Sequence, residues 1–215
     1  MRILLALFLF LTGCQGSKDS VPVAATEIHP TLIGGTIVPK GLWEQVVLID
    51  NSGARCTATV VGPQAVITAA HCSSSGRKNF FTVKDKKYTA IATQSPDYGK
   101  SDHDIAMLKV SEVVEGIKYS SIGGKAVIGA DVHKLGFGCK EIGGSDGMDG
   151  NLREGRSRIV DFSGHDMVLK KSPGVANCYG DSGGPAMDIS NLNSFKVLGI
   201  CSKGNIKDTS YDTRL

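Results

Sequence analysis

Apolar and polar positions divide this chain into three unlike stretches. Behind Met1 and Arg2, residues Ile3 to Leu11 form an unbroken apolar run. It is far too short to cross a bilayer permanently, but it has the size of the apolar centre of an export signal. Residues 15 to 31 mix Gly, Ser, Lys, Asp and Pro without apolar periodicity, which predicts a flexible tether or propeptide. From Leu32 onward short apolar and β-branched runs alternate with turn signals. Trp43 to Ile49 predicts a strand, and Arg55 to Val61 a second, ended by Gly62-Pro63. Ala65 to Thr68, Phe80 to Val83, Tyr88 to Thr93 and Phe195 to Gly204 predict further strands, and an apolar run starts directly after Asp104. Ser111 to Gly124 alternates weakly, as a linker between two halves would.

Composition sharpens this picture. With 41% hydrophobic residues, the 215-residue chain can bury a sizeable core, as one domain or two closely packed halves. Its 27 Gly and 7 Pro against 6% aromatic residues favour short strands joined by turns over a helical bundle. A formal charge of +3 is too mild to imply nucleic acid, and no basic run supports that partner.

The chemistry centres on Cys178-Tyr179-Gly180-Asp181-Ser182-Gly183-Gly184-Pro185. One hydroxyl among glycines lets the backbone turn sharply and aim amide N–H groups at whatever Ser182 attacks. A serine hydroxyl needs a base with an orienting partner. Thr68-Ala69-Ala70-His71-Cys72 offers the base, and Ser101-Asp102-His103-Asp104-Ile105-Ala106 offers two carboxylates, of which Asp104 adjoins the apolar run. Asp102 would lie further out. His133 and His165 belong to no such motif and read as surface residues. Calcium at Asp146 and Asp149 matches no EF-hand spacing.

The order His, Asp, Ser is that of the chymotrypsin triad. On these three motifs residues 32 to 215 resemble the trypsin/chymotrypsin-like serine proteases. The resemblance implies an all-β fold of two packed six-stranded antiparallel β-barrels with a catalytic cleft between them, over 32–118 and 119–215. The family usually continues into a C-terminal helix, and the expectation for this sequence, which reaches Leu215, is that the helix is absent. Val132 to Cys139, with Gly136-Phe137-Gly138, resembles the segment that opens the second barrel.

The activity so implied is endopeptidase hydrolysis through an acyl-enzyme, with Ser182 as nucleophile, His71 as general base then acid, and Asp104 orienting the imidazole. Gly180 and Ser182 would supply the oxyanion-hole amides. Ala176 would form the base of the primary pocket, with Asn177 beside it, Gly204 on the wall and Thr209 narrowing it. No acid stands at that base, so Lys and Arg substrates are not expected. Ser202, Lys203 and Gly204 would pair with substrate backbone, and Tyr179, near the nucleophile, would also bind substrate. Lys203 replaces an aromatic usual in the family.

Leu32-Ile33-Gly34-Gly35 resembles the family's activation site. Cleavage after Thr31 would free an ammonium at Leu32 to pair with Asp181, making the uncut chain a zymogen. Thr31 is not the Arg or Lys that trypsin-like activators prefer, so the activating protease stays open. Leu11-Thr12-Gly13-Cys14 resembles a bacterial lipobox, which implies a signal over 1–13, a lipidated Cys14 and a tether over 14–31 in an exported, envelope-bound protein. The membrane would be met only through that lipid. Cys56 and Cys72 resemble the family's bridge beside the histidine. Cys139, Cys178 and Cys201 allow three pairings; Cys139–Cys178 is favoured because both should flank the cleft mouth, with Cys178–Cys201 as the alternative. Partners implied are a protein or peptide substrate and an activating protease, with a monomeric chain and no metal or organic cofactor. The rival reading is a catalytically silent lipoprotein that uses the scaffold as a binding module.

Overall fold

β-Branched runs ended by turns set the strands of the first barrel in the computed structural model, which describes residues 32–51, 53–101, 103–139, 148–171, 174–188, 190 and 196–215. The expected signal and tether, Cys14, Thr31, Asp102 and Asp146 lie outside the described residues. A two-residue strand β1 (Thr36–Ile37) comes first, followed by β2 (Val46–Asp50), β3 (Arg55–Gly62), β4 (Ala65–Thr68), β5 (Lys78–Val83), β6 (Lys86–Gln94) and β7 (Ala106–Val110). Strands β2-β3-β4-β7-β6-β5 close into an antiparallel barrel. Period-2 burial is clearest in β7, where Ala106, Leu108 and Val110 face the core and Met107 and Lys109 face out. The first barrel strand begins at Val46, not Trp43. Trp43 has φ 54°, outside the extended region, and its indole Nε1 donates to Glu154 Oε2 at 3.0 Å.

The second half comprises β8 (Ser121–Ile122), β9 (Asp131–Gly136), β10 (Arg153–Ser163), β11 (Asp166–Lys170), β12 (Pro185–Asp188), β13 (Lys196–Gly204) and β14 (Thr209–Arg214). Following β9-β10-β11-β14-β13-β12, with β12 pairing back to β9, closes a second six-stranded antiparallel barrel. β1 and β8 attach outside that ring, on β10 and β13. The fold is therefore the expected all-β pair of barrels, and no α-helix occurs among the described residues. One apolar cluster joins the two: Val46, Ala58, Val60, Ala90 and Leu108 pack in the same core as Leu135, Met187, Val197 and Ile200. A second cluster, including Val132, Ile159, Met167 and Leu169, fills the far side of the second barrel.

His133 differs from its reading as a surface residue, and a buried ion pair lies next to it. His133 is half-buried, stacked on Trp43 with ring centroids 5.2 Å apart, and its Nε2 lies 2.9 Å from Glu154 Oε2. Burial lowers its pKa against the opposing pull of Glu154. Lys134 occupies an inward position of β9 and forms an ion pair with Asp212 of β14, both fully buried. Removing one member of such a pair leaves a buried uncompensated charge, which costs more than the pair itself contributes. Lys134→Met is expected to lower unfolding stability by about 3–5 kcal/mol, and Lys134→Met/Asp212→Leu to recover most of it, by urea denaturation. An unchanged midpoint for the single variant would show that the charge at Asp212 finds another partner.

Candidate active site

Each side chain of the site is delivered by a strand end. β4 runs into a short 3₁₀ turn, Ala70–Cys72, which carries His71. The turn is pinned by the Cys56–Cys72 disulfide to β3, with Cα atoms 6.2 Å apart. β7 begins two residues after Asp104, so that carboxylate stands where the core meets the cleft, 6% exposed. Its Oδ2 lies 2.6 Å from His71 Nδ1, and its Oδ1 accepts the His71 backbone N–H at 2.9 Å. The Ser202 hydroxyl donates to the same Oδ2 at 2.7 Å. Burial pushes the Asp104 carboxyl up, but hydrogen bonds from His71 and Ser202 outweigh it and hold the pKa below its usual value. A carboxylate only accepts, so it fixes the tautomer with the proton on Nδ1 and leaves Nε2, 3.8 Å from the disulfide-bonded Cys72 Sγ, as the acceptor.

The turn that bears Ser182 is held from both barrels. The Thr57 backbone N–H donates to Ser182 O at 2.8 Å, and the Thr57 hydroxyl donates to Gly180 O at 2.8 Å. Gly183 has φ 82° and lies so close to Thr68 Oγ1 and Thr57 O that a Cβ would clash with both. Gly183 N donates to Cys201 O, and Gly184 N to Asp181 O, each at 2.8 Å. Among the described residues the backbone amides of Gly180 and Ser182 donate to no protein acceptor, so both remain available.

Asp181 is fully buried beneath this turn. Its Oδ1 accepts the Gly138 amide and its Oδ2 the Cys178 amide, both at 2.8 Å. The Gly136-Phe137-Gly138 pattern has a direct cause, because a Cβ at either glycine would fall on the Asp181 carboxyl. Burial pushes Asp181 up to about 6, against the pull of those two amides and of Lys134 and Arg153. Leu32 and Ile33 are buried in the continuous chain, and Ile33 packs with Cys139, Ala176 and Cys178.

His71 and Ser182 share a cleft of about 390 Å³ with Asn177, Tyr179, Ser202, Lys203, Gly204 and Ile206. Ala176, expected at the pocket base, is instead buried in the cluster with Ile33, and Asn177 reaches the cleft. Thr209 was expected to narrow the pocket, but its hydroxyl donates to Asp208 at 2.8 Å and accepts from Lys170. The Lys203 ammonium pairs with Asp166 Oδ2 at 3.2 Å, so its charge is held by the second barrel. Ile206 and Lys134 draw no functional reading from the sequence. Lys134 follows Val132 at the inward period of β9, and that alternation was the available signal.

Cys139 and Cys178 form the second disulfide, with Cα atoms 5.5 Å apart, and Cys201 is buried with a free thiol that burial pushes well up. Cys56, His71 and Cys72 lie close enough to suggest a metal centre, but the disulfide consumes both thiolates. Asp149 is held by Arg153 at 2.6 and 2.7 Å.

Solved structures with the same fold include neuropsin from mouse brain, at TM-score 0.69 and 17% identity over 84% of this chain and 93% of that one. A mutant of human heparin binding protein superposes at TM-score 0.70 with 14% identity, over 84% of this chain and 90% of that one. Among curated proteins, an ovochymase of Halocynthia roretzi is 26% identical over 86% of this chain, and transmembrane protease serine 11C of Mus musculus is 29% identical over 80%. The matched regions are 14% and 47% of those relatives' lengths, so this chain corresponds to a part of each. The family match itself runs from residue 32 to 213, spanning both barrels and every strand that brings His71, Asp104 and Ser182 to the cleft, and on that extent the chain belongs to the trypsin family.

Proposed function

We propose that the chain is a serine endopeptidase whose nucleophile is Ser182. The observation that carries this reading is the His71 Nδ1 to Asp104 Oδ2 contact of 2.6 Å, made at the edge of the cleft that also holds Ser182. With Nδ1 held by Asp104, His71 Nε2 takes the Ser182 hydroxyl proton as Oγ attacks the scissile carbonyl carbon. The carbonyl oxygen becomes an oxyanion, received by the uncommitted amides of Gly180 and Ser182. Collapse of the tetrahedral intermediate breaks the C–N bond, and His71 returns its proton to the leaving amine. An acyl-Ser182 remains. Water then attacks the ester carbon, His71 takes a water proton, and a second collapse returns that proton to Ser182 Oγ and frees the acid.

Ser202 contributes twice: its hydroxyl positions Asp104, and its strand end lines the cleft where an extended peptide can pair with the edge of β13. A zymogen form is part of the proposal, supported by the under-compensated Asp181. Export, a lipid on Cys14 and an envelope location are proposed on residues 2 to 14 alone; a cut after Thr31 would then also detach the enzyme from its anchor.

The test is reaction of a form beginning at Leu32 with an active-site serine phosphonate. One adduct on Ser182, located by mass spectrometry and lost in His71→Ala, is the expected result. A folded protein that takes up no phosphonate would point to the silent binding module.

A further inference from the structure

We infer that the primary pocket selects an uncharged side chain that donates a hydrogen bond, and that Asn177 Oδ1 is the acceptor that reads it. This rests on the peptidase reading above. Asn177 lines the cleft beside Ser182 yet is only 5% exposed. Its Nδ2 lies 3.2 Å from Asp212 Oδ1, and a carboxylate can only accept, so the amide nitrogen must be the arm turned to Asp212. The backbone N–H of Asn177 donates to Ser210 Oγ at 3.0 Å, which fixes the residue from a second direction. The remaining arm, Oδ1, is buried and has no hydrogen-bond partner among the described residues.

Charge decides which donor suits it. Asp212 behind Asn177 is neutralised by the buried Lys134, so the floor is polar without net charge. A substrate ammonium or guanidinium would lose its hydration and meet only a neutral carbonyl. A substrate carboxylate would meet an acceptor with another acceptor. A purely apolar side chain would leave Oδ1 as unpaired as it is in the free protein, and so would gain nothing from it. A carboxamide or hydroxyl satisfies Oδ1 without bringing a charge, and its alkyl part can lie along Ile206 and Gly204, which line the same cleft. A site built to hydrogen-bond a substrate donor discriminates strongly against the analogue that lacks it.

The experiment uses the form beginning at Leu32 and peptides identical except at the residue before the scissile bond. Gln is paired with Met and Thr with Val, and Lys and Glu complete the set. In each pair that is cut, the donor is expected to lead its near-isostere by about tenfold or more in kcat/KM, with Lys and Glu behind. In Asn177→Ala the ratio within a pair should fall to near one. Equal cleavage of donor and isostere in wild type, or dominant cleavage after Lys or Glu, overturns the inference without needing the variant to fold. Phosphonate labelling of the same sample separates the two levels: labelled enzyme without donor preference overturns only the assignment of Asn177, whereas no label and no cleavage overturns the peptidase reading and the inference with it.

Discussion

Ser182→Ala, His71→Ala and Asp104→Asn are each expected to lower kcat/KM by about 10⁴-fold or more while leaving the fold intact. In the proposed mechanism the three act through one proton path, so any double variant should be little worse than the worse single one. Asp104→Asn is the most informative. Its carboxamide can present an N–H to Nδ1, which would force the opposite tautomer and put the proton on the nitrogen that must accept from Ser182. The same substitution alters the pairing of Ser202, whose hydroxyl donates to Asp104 Oδ2 at 2.7 Å. Asp102→Asn is the control and should stay near wild type. Steady-state kinetics on one peptide, with urea midpoints to confirm folding, gives the answer. Near-normal turnover by Asp104→Asn together with a collapse in Asp102→Asn would reassign the orienting carboxylate.

The residues that were legible in the sequence are those whose neighbours announce them. His71 follows a β-branched strand and precedes a cysteine, Asp104 opens an apolar run, and Ser182 sits among glycines whose spacing reflects contacts with Thr57 and Thr68. Most strands of the first barrel were legible as short apolar and β-branched runs, of which β3 ends at Gly62-Pro63. β10 was not, because Arg153, Glu154, Arg156, Arg158 and Asp161 crowd it with charge and its pairing with β11 carries a bulge between Ile159 and Asp161. The pocket was legible only in outline. Ala176 and Asn177 are adjacent, and the family resemblance that names both leaves open which one meets substrate. The structure buries Ala176 and brings Asn177 to the cleft. The partner that orients Asn177, Asp212, is 35 residues away in sequence, a pairing that no local pattern reveals.

Freeing an ammonium at Leu32 is expected to raise activity by a factor on the order of 100, because it changes the energetics of one carboxylate. In the continuous chain Asp181 has two amide donors and its pKa rises from 3.8 to about 6, so its ionised form is under-compensated. A gap of that size corresponds to about 3 kcal/mol. The sign follows from the raised value: Asp181 costs nothing while protonated at low pH, and its penalty to the fold grows as pH rises from about 4 to about 6, then stays constant. That penalty falls on the Cys178 to Ser182 turn, whose amides would hold the oxyanion. An ammonium beside Asp181 would bring its pKa down and remove the penalty, and Leu32 and Ile33 are already buried, Ile33 against Cys139, Ala176 and Cys178, so little further apolar ordering is required. Two forms test this, one beginning at Leu32 and one at Gln15, each also carrying Ser182→Ala for stability measurements. Their difference in unfolding free energy should widen between pH 4 and 6 by about 3 kcal/mol and then level off, and the active forms should differ in kcat/KM at pH 8 by the corresponding factor. Equal turnover by the two forms, with parallel pH profiles of stability, would show that Asp181 is satisfied without the ammonium and that the uncut chain is already the working enzyme.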